Sequence, residues 1–265
     1  MTSTVLNPAK NNKFAANTAV DPAWSGLFKL GSVSALASVI LIPITIAVYF
    51  IWPPPETVMG HFTQIQERLF VGLLGMDLLY LLGNVLLLPT WLALYAALRR
   101  ANESWMAVAI TLGLISFLAL IAGRPILEMV HLSNLYATAA TEMERGIYLA
   151  AGEAMMALYH GTAFSAHYLL GTVGLLIISF VMLQSNIFSL RTAYVGIAAN
   201  AITLGFYVPV IGVYISIFSV FFYFAWYLMI ARQLWQLSGG QVVRCLTIWQ
   251  VVLQITGENH DTISH

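Results

Sequence analysis

A chain of 265 residues that is 60% hydrophobic and only 8% charged cannot cover a water-facing surface. Soluble domains carry about 25% charged residues, so the solvent of this chain is lipid. Its formal charge is zero, with 11 basic and 11 acidic side chains, which leaves no basic excess for nucleic acid, and its one cysteine, Cys245, excludes an intrachain disulfide or a multi-cysteine metal site.

The expected fold is all-α: a polytopic bundle of six transmembrane helices, with a helical non-cytoplasmic insertion between spans three and four. Residues 1–26 are polar and lack a charged stretch followed by an apolar core. No cleaved signal peptide is therefore expected, and the first span serves as the insertion signal. A spanning helix needs roughly 17–25 apolar residues. The first is expected over 27–52 and ends at Pro53-Pro54-Pro55, which cannot continue a helix. Residues 57–68 form a short interfacial link. The second span covers 69–98, with a kink at Pro89. Arg99 to Glu103 make a tight turn. The third covers 104–123 and stops at Gly123-Arg124-Pro125.

Residues 125–159 are expected to form a cap that is helical in two parts. Spans four, five and six follow at 161–184, 192–211 and 213–236. The transmembrane domain is thus 27–237, and 238–265 is a tail that reads as an amphipathic helix on the inner membrane surface or as a partner-binding helix. The run Ala-Ile-Thr-Leu-Gly occurs at 109–113 and again at 201–205. Chance in so biased a composition explains it as well as duplication does.

Lys and Arg set the orientation. With the N-terminus inside, Lys10, Lys13, Lys29, Arg99, Arg100, Arg191, Arg232 and Arg244 are cytoplasmic, and only Arg68, Arg124 and Arg145 are outside. Both termini are therefore expected in the cytoplasm of a cell whose membrane the chain crosses an even number of times. The tryptophans, Trp91 and Trp226 among them, mostly fall near the expected span ends and read as interfacial anchors.

Ionisable groups inside a membrane are costly and are functional candidates by default. Asp77 lies within span two, and Asn84 seven residues later faces the same way. Asp77 reads either as a lock, pairing with Arg124 to tie spans two and three, or as an ion or proton site; the lock is favoured, because a lone acid is ordinary helix glue. Arg124 stands at the boundary, where its side chain can also snorkel to head groups. Glu128, His131 and Asn134 recur on one face of the first cap helix. Glu153, His160 and His167 are spaced by seven, so they stack on one face if 147–184 is a single helix. The candidate polar pocket is Asp77, Asn84, Arg124, Glu128, His131, His160 and His167. A metal held by Glu128, His131 and His160 is the minor reading, because a single Glu-x-x-His is half of the motif that di-metal bundles use. No metal and no other cofactor is expected. Glu142, Glu144 and Arg145 read as a solvated turn.

Two blocks carry a resemblance: YHGTAFSAHYLLGTVGLLIISFVMLQS at 159–185 and TAYVGIAANAITLGFYVPVIGVYISIFSVFFYFAWYLMIARQLWQL at 192–237. With WSGLFKLGSVSALASVILIPITIAVYFIWPPP near the start, they resemble the prokaryotic six-helix membrane proteins grouped as a domain of unknown function, number four-three-eight-six. The landmarks are His160, Tyr168, Gly171, Tyr194, Trp226 and Arg232. The resemblance implies a fold and a membrane location and no catalytic residue. The expected function is non-enzymatic binding of a small apolar or lipid-like ligand, or regulation of a partner. The alternatives are a transporter of a small solute or ion using Asp77 and Arg124, and a membrane-embedded metal hydrolase using Glu128, His131 and His160.

Overall fold

A computed structural model describes residues 21–239. Most of the expected polar head and of the tail from 238, with Cys245, lies outside the described residues. Among the described residues the elements are all helical. They are α1 (Ser25–Ile51), α2 (Val58–Glu67), α3 (Leu69–Gly75), α4 (Leu78–Leu86), α5 (Leu88–Leu98), α6 (Glu103–Ala122), α7 (Ile126–Thr138), α8 (Glu142–Tyr159), α9 (Thr162–Leu183), α10 (Leu190–Leu204) and α11 (Gly212–Leu237).

Local chemistry explains most of the boundaries. Asp21 caps a short turn of 3-10 helix, Pro22–Trp24, which leads into α1. Asn102 caps α6, Ser189 caps α10, and Thr141 with Glu144 forms a reciprocal capping box at α8. The α1 helix stops where the three prolines begin. The residues expected as a solvated turn are the first turn of α8, where Arg145 pairs with Glu142 at 2.9 Å in solvent. The 147–184 stretch is two helices. The chain breaks at His160-Gly161, and a Cβ on Gly161 would stand 2.7 Å from the Ala157 carbonyl.

Span two departs furthest from expectation. It is three helices, not one kinked helix. Asp77 has φ 65°, a left-handed conformation that a residue with a Cβ seldom adopts, and it separates α3 from α4. Pro89 kinks nothing: it sits in the first turn of α5, where its missing N–H is not needed. The expected span at 192–211 is also shorter. At 15 residues α10 is about 23 Å long, against about 30 Å of hydrocarbon. It passes into a 3-10 turn at Gly205–Tyr207, and Val210 has φ 70°. Among the described residues, five helical stretches are long and apolar enough to cross a membrane: Pro22–Ile51, Leu78–Leu98, Glu103–Thr138, Glu142–Leu183 and Tyr214–Leu237.

The long helices close a ring. In order around it, α1 packs on α4 and α5, α5 on α6, α6 on α9, α9 on α10, α10 on α11, and α11 on α1. Ser32 donates to the Ala231 carbonyl at 2.7 Å and Thr90 to the Gly31 carbonyl at 2.9 Å, which fixes α1 against α11 and α5. Trp91 and Trp226 are not interfacial anchors. They are 5% and 0% exposed, in the main core. Each fills a hollow made by glycine: Gly113 and Gly174 face Trp91, and Gly196 faces Trp226. A second core joins α2, α7 and α8 through Val58, Phe62, Ile126 and Met129, with Leu149 and Met156 of α8 packed against them. Ser133 donates to the Phe62 carbonyl at 3.2 Å, and Gln66 donates to Ser133 and Asn134 at 2.9 Å. This three-helix cap sits at the end of the ring where α6 ends and α9 begins.

Candidate functional site

The breaks in the helices bring the polar side chains together. Asp77, between α3 and α4, meets Arg124, between α6 and α7, at 3.0 Å. The Arg124 side chain is 2% exposed, so it reaches inward and does not snorkel. Pro125 disfavours a helical backbone at Arg124, which releases the residue from α6 and lets it turn across the bundle. Tyr49 of α1 donates to the other Asp77 oxygen. Arg124 also donates to the Tyr159 carbonyl at 3.2 Å, and its guanidinium lies 4.2 Å from the Tyr159 ring, 5.1 Å from Phe164 and 5.9 Å from Tyr80. Its Nε has no hydrogen-bond partner among the described residues. One ion pair, with cation–π contacts, therefore ties α1, the α3–α4 break, the α6–α7 junction and the α8–α9 break.

Below this pair, inside the ring, lies a cavity of about 340 Å³. Its wall is supplied by α1, α4, α5, α6, α9, α10 and α11, and includes Leu41, Trp91, Phe117, Leu175 and Val220. The polar groups on it are uncharged, and among the described residues no Asp, Glu, Lys or Arg lines it. Asn84 and His167 do. Asp77 and Arg124 do not, so the left-handed turn at Asp77 sends the acid toward the cap and leaves Asn84 facing the cavity.

His167 is clamped. Its Nε2 is 3.0 Å from the Tyr80 hydroxyl, and its Nδ1 is 2.9 Å from Ser116 Oγ and 3.1 Å from the Ser116 carbonyl. The single Ser116 proton goes to the His167 carbonyl at 2.8 Å. That assignment puts the ring proton on Nδ1, donated to Ser116, with Nε2 accepting from Tyr80. The pair then knits α6 to α9 and leaves Ser116 unactivated as a nucleophile. Deeper in the ring, Tyr223 donates to Asn200 Oδ1 at 2.8 Å, and Thr203 to Ser219 at 2.9 Å.

The remaining expected site residues stand apart. Glu128, His131 and His160 are exposed on the cap. Among the described residues no three His, Cys, Asp or Glu side chains are grouped to hold a metal ion, so the expected trio does not converge. His160 is the C-cap of α8 and His167 lies in α9, so the two do not share the face of one helix. Sequence reasoning missed Tyr49, Tyr80, Ser116, Tyr159 and Tyr227. The one available signal was that Tyr80 lies three residues from Asp77 within an apolar run.

The cap holds a titratable group of its own. His61 is 2% exposed and its Nδ1 has no hydrogen-bond partner among the described residues. Burial pushes its pKa below the ordinary 6.5, the Pro55 carbonyl works against that, and His160 adds to the lowering. The folded state therefore binds this proton less readily than the unfolded chain. The His61 contribution is whole above about pH 6.5 and is lost as pH falls below it. Thermal unfolding in detergent is expected to show a midpoint that declines below about pH 6.5, with a shallower decline in His61→Gln; equal slopes would contradict it.

No family model, no curated protein and no solved structure matches the chain.

Proposed function

We propose that the chain is a cell-membrane protein of six crossings, in the family that its sequence resembles. Both termini are cytoplasmic, and α2, α7 and α8 form an extracytoplasmic cap. The short α10 counts as a crossing because it fills one place in the closed ring and because the excess of Lys and Arg on one side puts both termini inside, which takes an even number of crossings. The protein binds one small, uncharged, largely apolar or lipid-like molecule within the ring, as a carrier or regulator and not as an enzyme. The observation that carries this reading is the cavity: about 340 Å³, walled by apolar side chains with a few neutral polar groups. Ligand pockets have this composition and start at about 300 Å³.

Gly83 gives the test. It lines the cavity, and a Cβ there meets nothing nearer than Leu41 Cδ1 at 3.9 Å. Gly83→Ala should therefore be tolerated, whereas Gly83→Phe should fill the cavity. Purified protein titrated with decanol should show saturable thermal stabilisation, by about 2.7 kcal/mol at a hundredfold excess over Kd. Gly83→Ala should keep that response and Gly83→Phe should lose it. An equal response in both variants would overturn the reading.

A transporter is the second reading, and one observation favours it. Membrane transporters place their sites at broken helices, and span two is broken at Asp77 beside the cavity. On that reading the Asp77–Arg124 pair is the gate at the cap end.

A further inference from the structure

We infer that the cavity receives an uncharged single-chain amphiphile from the bilayer, through an opening between α1 and α11, and holds its hydroxyl or carbonyl head at Asn84 and Tyr227. This rests on the cavity being a binding site. It adds the class of molecule, its source and its orientation.

The opening follows from how α1 and α11 pack. They run antiparallel, as shown by Lys29 over the Trp235 ring at 5.8 Å and Ser32 bonded to Ala231. Every buried residue of α1 lies between Phe28 and Val39. The buried large side chains of α11, Trp226, Tyr227, Ile230 and Leu234, lie in the matching half. In the other half Ile44 and Ile46 of α1 are exposed, as are Tyr214, Ile217, Phe218 and Phe221 of α11. Yet Thr45, Ile46, Ser216 and Val220 in that same half line the cavity. The two helices are sealed at one end and part at the other, so the cavity meets the hydrocarbon of the membrane between them.

The head site follows from unused hydrogen-bonding capacity. Most polar groups on the wall are bonded to protein: Tyr80 to His167, Tyr223 to Asn200, and Tyr168 to Ser216. Asn84 uses one N–H on the Tyr80 carbonyl, and among the described residues its Oδ1 accepts no hydrogen bond. The Tyr227 hydroxyl has no protein partner among the described residues. An acceptor and a donor of this kind, left in an apolar cavity, are worth most to a ligand that supplies both partners, as an alcohol does. A carboxylate would meet no cation there and would lose its hydration uncompensated.

The register fixes the orientation. Tyr49 to Asp77 and Leu41 beside Gly83 set Asn84 level with about residue 40 of α1, and Ser32 to Ala231 sets Tyr227 level with about residue 36. Thr45 and Ile46 are five to ten residues nearer the cap, about 8–15 Å along the axis. The head is therefore deep and the tail points out through the opening.

The test uses the full chain in liposomes with three probes of equal length, each with a diazirine and an alkyne at the tail: a decanol, a decane and a decanoic acid. The decanol should label the protein saturably, and more strongly than the other two. The label should map to 41–47 of α1 and 214–221 of α11. Asn84→Leu and Tyr227→Phe should each weaken the decanol about tenfold and leave the decane unchanged. Strongest labelling by the acid, label on α2, α7 or α8, or no effect of both substitutions overturns this inference. If Gly83→Phe still abolishes labelling, the cavity stands as a binding site and only its assigned ligand falls. If Gly83→Phe labels like the wild type with every probe, the binding site falls with it.

Discussion

Arg124→Gln is expected to destabilise the fold by about 3–5 kcal/mol, the cost of leaving a buried carboxylate without its cation. The Arg124 guanidinium is almost wholly enclosed, and Asp77 is its one ionised partner among the described residues. Asp77→Asn should cost a similar amount. That substitution isolates the charge, because asparagine tolerates the left-handed backbone that Asp77 adopts at φ 65°. It keeps the shape of the α3–α4 break while stranding the guanidinium among Tyr159, Phe164 and Tyr80. The double variant Asp77→Asn with Arg124→Gln should be more stable than either single one, since neither charge is then unpaired. Denaturant unfolding in mixed micelles measures all three. Additive losses in the double variant would show that the two residues act independently and that the pair is not the lock.

Trp226→Ala is the second large effect, also about 3–5 kcal/mol for a fully buried aromatic. Trp226 fills the hollow between α10 and α9, where a Cβ on Gly196 would stand 2.6 Å from its Nε1 and 2.5 Å from Ser179 Oγ. It also packs beside Tyr223 and Tyr227. Nε1 makes no hydrogen bond among the described residues, so the loss is one of volume and contact, not polarity. Trp226→Phe should then cost no more than about half as much as Trp226→Ala. A phenylalanine variant as unstable as the alanine variant would point to an interaction of the indole N–H instead.

Proline and glycine punctuation made much of this fold readable from residues alone. Pro53-Pro54-Pro55 ends α1, Gly123-Arg124-Pro125 ends α6, and the Gly161 break separates the cap from α9. These signals act through the backbone, so they need no knowledge of neighbours. The Asp77 break carries no such signal. Met76 and Asp77 sit in an apolar run that reads as a continuous helix, and the left-handed turn persists because Arg124 and Tyr49 hold the side chain from elsewhere in the chain. Span five misleads for a related reason. Val208 to Ile211 stay apolar after the helix has ended, so hydropathy runs on where the backbone does not.

The site was legible in part and for a physical reason. Asp77, Asn84, Arg124 and His167 stand out because polar groups in an apolar segment must find partners. Which partners they find depends on distant helices: Tyr80 on His167, and Tyr159 and Phe164 around Arg124. Glu128, His131 and His160 carry the same chemical promise by residue type, but they are on the exposed face of the cap and not inside the ring. Trp91 and Trp226 were misread because tryptophan favours interfaces in general, while the glycines that receive them lie on other helices.

The central claim is that the ring holds one uncharged molecule in its cavity. Native mass spectrometry of the full chain, released gently from its membrane, tests that most directly. The wild type and Gly83→Ala should each carry one neutral adduct of lipid-like mass, and Gly83→Phe should carry none. An adduct retained equally by Gly83→Phe, or a wild type that emerges bare under conditions that keep other lipid contacts intact, would contradict it.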